Sequence, residues 1–275
     1  MEGWTGVAFA LAPPGAGGLG SRLSKYLHPV AGRPLVWHAL HALASVRPPP
    51  RALVIVGGAD LDPDAFPDLG IPVAVVDSEG GDAAGALRER AGGGPVLAVD
   101  GAALVPAAAL QRLVDGDRGT MIDDPAGRPL AAFLPALPSG AENGLDSFRS
   151  AVPSESRSTD PDGFVVESRA ELARATARVR DRLVRALMDA GATFLLPETV
   201  LVDVDVRVGR DTVVYPNVVL EGGTTVGDET VIGPGCRIID SWIGSGVELK
   251  GFNYLSHTSV RNRAILEPHV RRGFD

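Results

Sequence analysis

The stretch Val208-Gly-Arg-Asp-Thr-Val-Val214-Tyr-Pro-Asn-Val-Val-Leu220-Glu-Gly-Gly-Thr-Thr-Val226-Gly-Asp-Glu-Thr-Val-Ile232-Gly-Pro-Gly-Cys-Arg-Ile238 sets an aliphatic residue at every sixth position. Gly209, Gly227 and Gly233 directly follow three of these residues. A period of six matches neither the 3.6 of a helix nor the 2 of a strand. It matches a coil whose every turn has three flat faces of six residues, each face ending in a tight corner. One aliphatic side chain per face then points inward, and stacked coils share a core that no single coil forms alone.

Outward from this repeat, the 275 residues suffice for one large domain or two modest ones. Hydrophobic residues make up 45% of the chain, yet no apolar run reaches the 18 residues of a membrane span. The N-terminus Met-Glu-Gly-Trp has no basic n-region. A single cysteine, Cys236, excludes an internal disulfide and a multi-cysteine metal site. These features predict a cytoplasmic protein with no membrane partner. A net charge of −8 argues against a broad nucleic-acid surface, while loop amides and single cations can still bind a small phosphorylated ligand.

Upstream, the chain alternates strands and helices. Val7–Leu11, Ala52–Val56, Val73–Val76 and Val96–Val99 read as buried strands. Pro34–Ser45, Ala83–Ala91 and Ala107–Val114 read as helices. That rhythm predicts a parallel α/β sheet with helices on both faces, and ligands on such sheets bind at the carboxyl ends of the strands. Residues 137–164, rich in Pro, Ser, Gly and Asp, read as loop. Ser168-Arg-Ala-Glu171 is a capping box. It opens a helix with an apolar stripe at Leu172, Ala175, Val179, Leu183, Leu187 and Ala190, and with Gly191 as its stop. Arg174, Arg178, Arg182 and Arg185 lie off the stripe and read as a solvated face. The expected division is 1–164 for the α/β domain, 165–192 for the connecting helix and 193–275 for about three coils.

Three further stretches carry a resemblance. Lys25-Tyr-Leu-His-Pro-Val-Ala-Gly-Arg-Pro34 looks like K-V-L-H-x-x-A-G-R/K-P. Ala190-Gly-Ala-Thr-Phe-Leu-Leu-Pro, Val202-Asp-Val-Asp-Val and Val208-Gly-Arg-Asp-Thr-Val-Val-Tyr-Pro look like a helix exit and first coils. The five-residue step from Ile238 to Ile243 breaks the period at a matching place. Together they resemble the GlmU family, bifunctional uridylyltransferase/acetyltransferase enzymes that make UDP-N-acetylglucosamine. The resemblance implies a Rossmann-like nucleotidyltransferase domain, a connecting helix and a short left-handed parallel β-helix. It also implies Mg²⁺ and packing of the coils as a homotrimer.

The implied site residues follow position by position. A family loop L-A-A-G-x-G-T-R-M falls on Leu11-Ala-Pro-Pro-Gly-Ala-Gly-Gly-Leu19, so Leu11, Ala12, Gly15, Gly17 and Gly18 become nucleotide-binding candidates. Here Pro14 stands at a glycine position and has no N–H to give a phosphate, and Gly18 stands at the arginine. Lys25 and Arg22 are the catalytic cations. Gly81, in Gly80-Gly-Asp-Ala-Ala-Gly85, joins the nucleotide set. The metal motif G-D-V-P-L falls on Asp100-Gly-Ala-Ala-Leu104; strict alignment puts Gly101 at the ligand position, one residue after Asp100, the metal candidate. Gly127, in Asp123-Asp-Pro-Ala-Gly-Arg128, is the sugar candidate. The family's acetyl-transfer histidine and lysine fall beyond Asp275, so His257 and His269 read as corner residues.

Two readings result. One is a sugar-1-phosphate nucleotidyltransferase joining UTP to N-acetylglucosamine-1-phosphate, with nucleotide and sugar phosphate as partners. The other is a relative that keeps the fold, has lost the chemistry and serves as an assembly or regulatory subunit.

Overall fold

The computed structural model describes residues 3–11, 19–58, 60–62, 66, 69–80, 82–116 and 119–273. The chain forms two compact units, residues 1–28 with 34–172, and residues 29–33 with 173–275.

The first unit is built on a seven-stranded sheet. Its strands are β1 (Thr5–Ala10), β2 (Ala52–Gly57), β3 (Val73–Asp77), β4 (Val96–Asp100), β5 (Thr120–Asp123), β6 (Pro129–Leu134) and β7 (Arg157–Thr159), in the spatial order β7-β5-β6-β4-β1-β2-β3. Strands β1 to β4 pair in parallel. The sheet is nevertheless mixed, because β6 runs antiparallel to both β4 and β5. The link from β5 to β6 is a tight turn, and a parallel pair would need a crossover of a dozen or more residues.

Helices α1 (Leu35–Ala44), α2 (Ala83–Ala91) and α3 (Ala107–Asp115) form where the helical signals lie. Val7 and Phe9 of β1, Val54 and Val56 of β2 and Ala98 of β4 share one cluster with Leu87 of α2. On the other face α1 approaches so closely that a Cβ on Gly6 would meet Leu43. Residues 137–164 are packed structure rather than loop. Short 3₁₀ turns at Ala141–Asn143 and Leu145–Ala151 bury Ala141, Leu145 and Phe148, whose ring meets Phe9 edge-on at 5.7 Å.

Helix α4 (Arg169–Asp189) starts in the first unit and continues in the second. Ser168 Oγ accepts the Glu171 N–H at 3.1 Å, and Glu171 reaches back to the Glu167 N–H at 2.9 Å. Ala175 and Val179 are buried as the stripe requires. Further along, Val184 rather than Leu183 is buried, because Val184 and Leu187 turn to the coil core. The four arginines off the stripe are exposed.

The second unit is a parallel β-helix. Its two- and three-residue strands stack into three sheets of five, five and four strands, so the described residues make four full coils and part of a fifth where the sequence suggests about three. Val214, Leu220, Val226, Ile232 and Ile238 are fully buried, as the period demands, and Val208 at the first coil is half-buried. The step from Ile238 to Ile243 is not a single lapse. A two-residue corner, Asp240-Ser241, replaces the three-residue corner Gly222-Gly223-Thr224, and His257-Thr258 repeats the shorter form. Pairing accordingly changes from Val214↔Ile232 to Ile243↔Val260 and Leu249↔Leu266. A Cβ on Gly227 would lie 2.6 Å from the Ser245 amide of the next coil, which explains glycine there. His257 and His269 occupy left-handed corners. Residues 29–33 form a hairpin tip on the first coil: Ala31 O accepts the Val204 N–H at 3.1 Å, and Arg33 pairs with Asp205 at 2.8 Å.

Candidate functional site

Strand β1 ends at Ala10 and β4 at Asp100, side by side in the sheet, with Phe9 opposite Asp100. At these carboxyl ends a cleft of about 240 Å³ opens, as an α/β sheet requires. Phe9, Leu11, Tyr26 and Asp100 line its floor, Arg128 ends the β5–β6 turn and Pro129 opens β6, Asn143–Asp146 form an outer wall, and Val165 and Glu167 precede α4.

Asp100 therefore lies on the cleft despite its one-residue displacement from the metal motif. One carboxylate oxygen accepts the Ala102 N–H at 2.7 Å. Burial pushes its pKa above the ordinary aspartate value, opposed by the Lys25 charge and the Ala102 N–H and reinforced by Glu167 and Asp146. Gly101 is held down by its own amide, which donates to Phe9 O at 2.8 Å. A Cβ at 101 would sit 2.9 Å from that oxygen and 3.3 Å from the Tyr26 ring, so no aspartate fits there without movement.

Lys25 and Tyr26 belong to a short 3₁₀ turn, Lys25–Leu27, and both are buried. The Lys25 ammonium stands 5.1 Å from the centre of the Tyr26 ring. Arg22, in the bend just before, is exposed. His28 closes the turn; its Nε2 is buried with no hydrogen-bond partner. Burial, with Arg169 nearby, lowers its pKa, so the ring is neutral at pH 7. Of the other nucleotide candidates, Leu11 lines the cleft, while Ala12, Gly15, Gly17, Gly18 and Gly81 lie outside the described residues. Beside Gly81, Asp82 caps α2 by accepting the Gly85 N–H at 2.9 Å.

Gly127 sits in the β5–β6 turn at φ +80°, with its amide on Asp124 O at 2.9 Å. The turn is organised by its neighbours. Asp124 is buried and accepts the Ala126 and Arg128 amides, both at 2.9 Å, and the Arg128 guanidinium at 2.7 Å. Burial alone would raise the Asp124 pKa; the Arg128 amide and guanidinium outweigh it and hold the carboxyl below its usual range. Arg128 also grips Glu167 at 3.0 Å and Glu171 at 3.1 Å, joining the turn to the start of α4. Arg149 fastens the outer wall by bonding Asp123, Gly127 O and Asp146. Tyr26 and Arg128 thus border the cleft from within motifs in which neither is a site candidate, and Glu167 and Asn143–Asp146 border it with no signal of their own beyond the capping box after Glu167.

A cation that bridges phosphates needs hard oxygen ligands. Asp100 offers one, and Glu167 is near enough to perturb it electrostatically. Among the described residues no group of three His, Cys, Asp or Glu could hold a metal by itself. The arrangement therefore fits a divalent cation that keeps waters and takes phosphate oxygens from substrate, not a cation enclosed by protein.

Fold and site together define a nucleotidyltransferase-type α/β domain joined to a left-handed β-helix of hexapeptide repeats. Residues 16–193 match the model of the MobA-like NTP transferase domain, and residues 205–240 match that of the bacterial transferase hexapeptide (six repeats). The chain belongs to the MobA-like NTP transferase family, as a GlmU-like member carrying hexapeptide repeats. It is 38% identical over 109 residues to the bifunctional protein GlmU of Geobacillus sp. (strain WCH70), a match covering 38% of this chain and 23% of that protein. With the bifunctional protein GlmU of Carboxydothermus hydrogenoformans identity is 48% over 86 residues, covering 31% and 19% respectively. With that of Heliobacterium modesticaldum it is 44% over 85 residues, again covering 31% and 19%. The matches thus span less than a quarter of each of these relatives. No helix among the described residues is long and apolar enough to cross a membrane.

Proposed function

We propose that the protein is a sugar-1-phosphate nucleotidyltransferase that converts UTP and N-acetylglucosamine-1-phosphate to UDP-N-acetylglucosamine and pyrophosphate. The observation that carries this reading is the cleft at the ends of β1 and β4, which the Asp100 carboxylate lines and whose aspartate feels the nearby Lys25 charge. A phosphate oxygen of the sugar phosphate attacks the α-phosphorus of UTP, and the bond to the β-phosphate oxygen breaks as pyrophosphate leaves. Lys25 and the exposed Arg22 balance charge that builds on the phosphates. Asp100 is the residue that would hold Mg²⁺, with Glu167 as the nearby second carboxylate; when bound, the ion neutralises phosphate charge and orients the oxygens. The floor of Phe9, Leu11 and Tyr26 orients the substrates and excludes water. The setting is cytoplasmic and the assembly a homotrimer.

A pyrophosphate-release assay with UTP, N-acetylglucosamine-1-phosphate and Mg²⁺ tests the reading. Turnover should fall by about 10²-fold or more in Lys25→Ala and in Asp100→Ala. One observation favours a second reading, a non-catalytic assembly or regulatory subunit: Pro14 removes an amide from the phosphate loop. Failure to bind any nucleoside triphosphate at millimolar concentration would select that reading.

A further inference from the structure

Tyr26 lines the cleft with Asp100 and borders both Gly101 and the Lys25 ammonium. Its ring is buried and lines the same floor as Asp100. One edge fills the space beside Gly101, where a Cβ would come within 3.3 Å of Cδ1. The Lys25 ammonium lies 5.1 Å from the ring centre. The Lys25 charge acts on Asp100, yet the partner of the ammonium is the Tyr26 ring, and no Lys25–Asp100 ion pair stands among the described residues.

That separation needs a cause. A buried ammonium and a buried carboxylate attract strongly in a low-dielectric interior, and unpaired they each carry a desolvation cost. Without another partner for the ammonium, the flexible lysine stem would bring them into contact. The carboxylate would then be neutralised by lysine rather than by a metal. A cation over an aromatic face is held by the ring quadrupole, which gives the ammonium an alternative partner.

We propose that Tyr26 is the positioning residue of this cleft: its ring retains the Lys25 ammonium and closes the space beside Gly101, which leaves the Asp100 carboxylate open to a divalent cation. The proposal rests on the nucleotidyltransferase reading of the cleft. It assigns a role to the aromatic ring, not to the hydroxyl, and it explains why a metal carboxylate can stand at 100 while 101 is glycine.

The test is Mn²⁺ titration of the full chain by electron paramagnetic resonance, with and without UTP, with thermal melts to verify folding. Tyr26→Phe keeps the ring and should bind Mn²⁺ within about twofold of wild type. Tyr26→Leu should weaken binding by roughly tenfold, the scale of a buried cation–π contact. Adding Lys25→Met to Tyr26→Leu should restore the affinity, because no ammonium remains to compete for Asp100. A merely structural role for Tyr26 predicts no such rescue. Should Tyr26→Leu fail to fold, Tyr26→Phe still decides: a fivefold or greater loss would overturn the role of the ring. If wild type binds Mn²⁺, Asp100→Asn abolishes it and Tyr26→Leu changes nothing, the positioning role falls and the reading of the cleft stands. If wild type binds no Mn²⁺ even with UTP, both fall.

Discussion

Asp100 and Asp124 are two aspartates of the first unit whose surroundings act with opposite sign. Burial favours the protonated form of Asp100, so its folded pKa lies above the unfolded value of about 3.9. Its stabilising contribution is complete below that value and is lost as pH rises through the raised folded pKa. Above that folded value the ionised carboxylate therefore costs stability. Asp100→Asn should raise the melting temperature at pH 7, and the gain should vanish near pH 3.5; a lower melting temperature at pH 7 would contradict the assignment. Asp124 has a depressed folded pKa, so its contribution is present above about 3.9 and is lost as pH falls through the folded value. Breaking its buried pair with Arg128 by Asp124→Ala should cost about 3–5 kcal/mol in urea unfolding at pH 7. An effect under about 1 kcal/mol, the level of a surface pair, would show that the turn does not depend on it.

Among the elements, the coil strands and the 137–164 segment are the extremes of legibility. Every coil face repeats the same packing problem, so the inward aliphatic positions could be read directly from spacing. Even so, the recurring 17-residue coils looked like one lapse, because the shorter corner depends on which residues the next coil can accept. The α/β rhythm likewise located β1 to β4 and α1 to α3, but strand direction at β6 is set by a turn whose key donor and acceptor are Arg128 and Asp124. In residues 137–164 the turns are 3₁₀, too short to show a period, and Phe148 finds its partner Phe9 more than a hundred residues away. Of the cleft lining, the sequence candidates held only Asp100 and Leu11; Tyr26 and Glu167 reach it through contacts that spacing does not encode. Two substitutions test these elements by denaturant unfolding. Phe148→Ala should cost about 3–5 kcal/mol, an outcome that a loop would not give. Gly227→Ala should cost about 1–3 kcal/mol, because the added Cβ presses on the Ser245 amide and Gly244 carbonyl carbon of the next coil, backbone that cannot turn aside as the Ser245 hydroxyl can.

At the scale of the whole molecule, the question is what the coils do beyond closing their own core. Each of the three sheets carries a large apolar side chain on its outer side: Ile265 on one, Leu201 on the second and Trp242 on the third, all at least 47% exposed. A ring of identical chains needs this, since a heterologous interface sets one face of each chain against a different face of the next. The proposed homotrimer meets that demand with apolar contact, and it must also bring together three chains of net charge −8. Like charges repel over a Debye length of about 10 Å at 0.1 M salt and much less at 1 M. Association should therefore tighten as salt rises, opposite to an assembly held by surface ion pairs. Sedimentation equilibrium should give three times the 28.5 kDa chain mass at micromolar concentration, with a dissociation constant that falls between 0.05 and about 0.5 M NaCl. Leu201→Glu and Ile265→Glu should each shift the species toward monomer without lowering the melting temperature, because both side chains point away from the coil core. A monomer at micromolar concentration in high salt would refute the trimer and leave these exposed side chains to some other contact.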